Sequence, residues 1–96
     1  MNLEEKTEKI RLASQHVQRG SDWEAAGELQ RAEEEYKKAA LLHLELSEKS
    51  GEKMFFAAAR EDFEHLADIN MQQGNLHGAD RCYVLSMECR QRMEEE

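Results

Sequence analysis

The chain has 96 residues, with 21 acidic and 13 Lys or Arg side chains and a formal net charge of −8. One domain of that size is expected, and its charge repels phosphate backbones, which argues against nucleic acid as a ligand. The apolar residues make up 40% of the chain and never run together for the ~20 positions of a membrane span, and the start, Met1 to Lys6, lacks the apolar core of a secretory signal.

The first expected helix runs from about Leu3 to Arg19, with Ile10, Ala13 and Val17 on one stripe. Gly20, Ser21 and Asp22 then supply a stop and a start, since Gly suits a helix C-terminus and Ser or Asp caps the next one. From Trp23 the apolar pattern continues through Leu29, Ala32, Tyr36, Ala39, His43 and Leu46 to the stop at Ser50 and Gly51. Two readings compete for this stretch. Residues 22–49 form one long helix, favoured by the helix-forming Glu33, Glu34 and Glu35, or they turn back at those three glutamates. A further helix, Lys53 to Gln73, carries Phe56, Ala59, Phe63, Leu66, Ala67 and Asn70 at helical spacing. It ends at Gln73, Gly74 and Asn75. The last, from about Leu76 to Met93, points Ala79, Cys82, Tyr83, Ser86 and Met93 inward, and residues 94–96 form an acidic tail.

Two segments match at an offset of 40 residues: Trp23, Ala26, Gly27 and Leu29 are answered by Phe63, Leu66, Ala67 and Ile69. Repetition at periods of roughly 20 to 50 residues is the mark of a helical repeat array, whose usual work is to present surfaces to other proteins. In Phe63, Leu66, Ala67, Asn70, Gly74, Asn75, Leu76, Ala79 and Tyr83 the chain resembles the tetratricopeptide repeat. Ala67 stands where that family usually has Gly, and Leu76 where it has Tyr. The resemblance implies an all-α fold of four or five helices in antiparallel hairpins. Its divisions are an N-terminal helix (1–20), a first repeat (21–52), a second repeat (53–93) and the tail (94–96). A rival phase places the first turn at Gly20 to Trp23, making residues 3–33 the first hairpin.

The resemblance further implies a groove lined by the first helix of each hairpin, offering Glu24 and Glu28 from one repeat and Glu61, Glu64, Asp68 and Gln72 from the other. That stripe is acidic, so the expected partner is a protein or peptide with a basic or amphipathic segment. Two repeats leave apolar ends, so a homodimer, with helices exchanged if residues 22–49 stay continuous, is the alternative.

Little points to chemistry. Asp62 and His65 have the spacing of half a metal-binding pair, but a di-metal bundle needs that motif from two helices. Cys82 and Cys89 lie too far apart along a helix for a disulfide and fit reduced residues of a cytoplasmic protein. No nucleophile triad or phosphate loop is present, so a non-enzymatic module without cofactor or metal is expected.

Overall fold

The computed structural model describes residues 1–95. Four helices follow one another: α1 (Leu3–Ala25), α2 (Leu29–Ser50), α3 (Lys53–Gln72) and α4 (Leu76–Glu94). Each packs principally on its neighbours in sequence, giving a slab of 39 × 27 × 14 Å. The all-α reading holds. No helix among the described residues is long and apolar enough to cross a membrane. Glu95 is already extended, and Glu96 of the expected tail lies outside the described residues.

Two boundaries differ from the sequence reading. Helix α1 does not stop at Gly20 but continues through Ser21 and Asp22 to Ala25. The reason is that Gly20 serves packing rather than termination. It is buried against Tyr36, and a Cβ there would stand 2.9–3.0 Å from three carbons of the tyrosine ring. The glycine that ends α1 is Gly27, at φ 79°, a conformation that costs other residues dearly. Residues 22–49 are therefore neither one helix nor two joined at Glu33 to Glu35. The chain turns at residues 26–28, and the glutamates sit inside α2, where Glu33 pairs with Lys37 one turn on.

The repeat register shifts accordingly. At the first turn the N–H groups of Ala26, Gly27 and Glu28 donate to the carbonyls of Asp22, Glu24 and Trp23. At the second, those of Gln73, Gly74 and Asn75 donate to Ile69, Met71 and Asn70. Gly74 has φ 78°, within a degree of Gly27. The two turns are the same structure at an offset of 47 residues, not 40. In that register Gly27, Leu29, Ala32 and Tyr36 correspond to Gly74, Leu76, Ala79 and Tyr83. The hairpins are residues 3–50 and 53–94, so the first begins well before residue 21 and the N-terminal helix belongs to it. The exchanged dimer loses its premise, because the chain turns at Gly27 and residues 22–49 are not one continuous helix.

The core is built from Tyr36, Leu66, Ile69 and Phe63 with alanines 32, 40 and 59 between them. Small residues at these crossings let the helix axes approach while the larger side chains fill the remaining space. Gly51, at φ 71°, closes α2 and leads directly into α3. Asn2 caps α1, its side-chain oxygen accepting the Glu5 N–H at 2.8 Å, and Asn75 caps α4 by accepting from Gly78 at 2.9 Å. Substituting Gly20→Ala should lower stability by about 1–3 kcal/mol through overpacking against Tyr36, less the gain of up to ~1 kcal/mol in helix propensity. Urea denaturation checks this, and a more stable variant would contradict the close approach.

Candidate interaction surfaces

Two histidine–carboxylate pairs tie successive helices together. His43 on α2 lies 2.5 Å from Asp62 on α3, and His16 on α1 lies 2.6 Å from Glu35 on α2. The Asp62 side chain is only 3% exposed. Burial lifts its pKa above the ordinary carboxylate value, with His43 opposing that shift. His65 does not join Asp62 as a metal pair would require. It stacks on Tyr36 instead, with ring centroids 4.7 Å apart and planes 6° from parallel. Among the described residues, no group of three or more His, Cys, Asp or Glu side chains is gathered as a metal site requires. Cys82 and Cys89 are both free, and burial pushes both thiols up, away from reactive thiolate.

Tyr36 stands at the junction of three helices. Its ring lies between Gly20 of α1 and His65 of α3, and its hydroxyl donates to Glu24 at 3.4 Å. Burial, with the nearby Glu24 carboxylate, raises the phenol to about 12. The expected groove residues divide around this ring. Glu61, Glu64, Asp68 and Gln72 share the exposed face of α3. Glu64 reaches Arg60 on the preceding turn at 3.5 Å. Glu24 is half-buried across Tyr36 from His65, so it borders this face through the tyrosine. Glu28 sits apart, in the turn that caps α2. Exposed Met54 and Met71 lie toward the two ends of the same α3 face, roughly 26 Å apart at 1.5 Å per residue. The face thus offers negative charge in its middle and soft apolar contact at either end.

A different surface lies on α4, where Leu76, Val84 and Met87 are 63%, 54% and 68% exposed. Tyr83, expected inward, is 42% exposed and lies on the same side. Its counterpart in the first hairpin, Tyr36, is 1% exposed because α3 covers it. The inward side of α4 consists instead of Ala79, Ser86 and Cys89, with Cys82 and Met93 half-buried.

No family model, curated protein or solved structure matches the chain. The grouping of Glu61, Glu64 and Asp68 follows from helical spacing, whereas the histidine pairs escape it because each joins two helices. One signal for them was present: Asp62 falls on the stripe of Phe55, Ala59, Phe63 and Leu66, where a carboxylate demands a partner.

Proposed function

We propose that this chain is a non-catalytic protein–protein interaction module, built from two tetratricopeptide-like hairpins, whose α3 face takes a basic amphipathic segment of another protein. The observation that carries the reading is the exposed run of Glu61, Glu64 and Asp68 between Met54 and Met71, with Gln72 next to the latter. The 47-residue register supports the family resemblance. It brings a second Gly, Leu, Ala and Tyr set (Gly27, Leu29, Ala32, Tyr36) onto the spacing of the first (Gly74, Leu76, Ala79, Tyr83). An acidic face of this kind speeds encounter with a basic partner and turns away acidic ones.

The test uses a labelled amphipathic lysine–leucine peptide as probe. The wild-type chain should bind it, and binding should weaken as salt rises past the range where exposed charges are screened. The double substitution Glu64→Lys with Asp68→Lys should weaken it about tenfold or more, equivalent to about 1.4 kcal/mol. Reversing Glu4 and Glu5 at the far end of α1 should matter much less. Equal losses from both pairs would mean that the peptide responds only to overall charge, against the proposal.

A further inference from the structure

We infer that two copies of this chain associate through the exposed face of α4, antiparallel about a twofold axis near Leu85. This surface is distinct from the α3 face, and three observations lead to it.

The first comes from the internal repeat. Leu29, Tyr36 and Ala40 of α2 correspond to Leu76, Tyr83 and Met87 of α4. On α2 that side is closed by an antiparallel helix, α3, leaving Tyr36 and Ala40 1% and 2% exposed. On α4 the same side is bare. The molecule therefore shows what kind of element this side accepts, namely an antiparallel helix with an apolar stripe.

The second excludes head-to-tail stacking. If α1 of another copy covered α4 as α3 covers α2, the residues in register with Phe55, Asp62, Leu66 and Ile69 of α3 would face it. On α1 these are Glu8, Gln15, Arg19 and Asp22, all exposed and polar. Burying them against Tyr83 and Met87 would strand charges in an apolar contact. An open chain of copies is disfavoured, and a closed isologous pair remains.

The third is charge. Although the protein carries −8 overall, α4 is balanced: Asp80, Glu88 and Glu94 offset Arg81, Arg90 and Arg92. Two copies of a strongly acidic protein meet with least repulsion there. In an antiparallel pairing that sets Tyr83 opposite Met87 of the second copy, Asp80 comes opposite Arg90. Twofold symmetry makes that ion pair twice. At α-helical spacing Asp80 and Arg90 lie about 40° to either side of the midline of the Tyr83–Met87 stripe, so the pair reaches across the contact about one turn beyond those residues and each charge meets its opposite.

Sedimentation velocity on the full chain, from about 1 to about 200 µM, tests this by locating the dissociation constant. A dimer is expected, with Met87→Glu shifting the chain to monomer at unchanged far-UV circular dichroism, since Met87 is exposed and outside the core. Asp80→Arg alone should raise the dissociation constant about tenfold, and adding Arg90→Asp should restore it. A monomer throughout the range, a dimer indifferent to Met87→Glu, or species growing beyond dimer would each overturn the inference. Failure of the double reversal to rescue would overturn the antiparallel register.

Discussion

Tyr36→Ala is expected to lower stability by about 3–5 kcal/mol, the loss typical of removing a large buried aromatic side chain. The ring is 1% exposed and is gripped from both sides, by Gly20 on α1 and His65 on α3. Neither neighbour is placed to collapse into the space. Gly20 has no side chain, and His65 is fixed on a separate helix. Because small domains are stable by only about 5–15 kcal/mol, such a loss should move the urea midpoint far toward water. Tyr36→Phe should cost much less, since the hydroxyl's bond to Glu24 is long at 3.4 Å. The repeat supplies an internal control. Tyr83→Ala, at the equivalent position on α4, removes a side chain that is 42% exposed and should change the monomer's stability by about 1 kcal/mol or less. Equal losses at Tyr36 and Tyr83 would contradict a Tyr36 closed in by α3 and a Tyr83 left open on α4.

His43→Leu is expected to be the second severe change, at up to about 3–5 kcal/mol near neutral pH, because it strands the Asp62 carboxylate in the interior. The pH dependence has a definite sign. Burial already holds the Asp62 pKa above its unfolded value, so this group favours the fold below the ordinary carboxylate range and loses that contribution as pH rises through the folded-state pKa. Without His43 the folded-state pKa climbs further, and the loss extends over a wider window above pH ~4. His43→Leu should therefore be damaged least in mild acid and most at neutral pH. Adding Asp62→Asn should flatten that dependence, since an amide cannot ionise. Parallel stability–pH curves for His43→Leu with and without Asp62→Asn would refute the assignment.

The contrast between the two registers explains what the sequence conveyed. An offset of 40 residues is close to 11 turns of helix and one of 47 close to 13, at 3.6 residues per turn. Either keeps an amphipathic stripe in phase, so matching apolar residues cannot choose between them. The turns can, and Gly27 with Gly74 chooses 47. Gly20 misled for a related reason: a glycine pressed against an aromatic ring and a glycine ending a helix look alike until the ring is located. By contrast, the stops at Gly51 and Gly74 were legible because breakers there coincide with the end of an apolar stripe. The acidic α3 residues were legible because their 3–4 spacing is confined to one helix. Glu28 was misplaced with the register, and the outward turn of Tyr83 was hidden because only the presence or absence of a following helix decides it.

The claim that α3 presents the binding face is tested most directly by titrating the lysine–leucine peptide into the isotope-labelled chain and mapping amide shifts by NMR. The largest shifts should fall at Glu61, Glu64, Asp68, Met71 and Gln72, with smaller ones at Tyr36 beneath His65. Shifts centred on α1 or α4, or spread evenly over the acidic residues of all four helices, would contradict it.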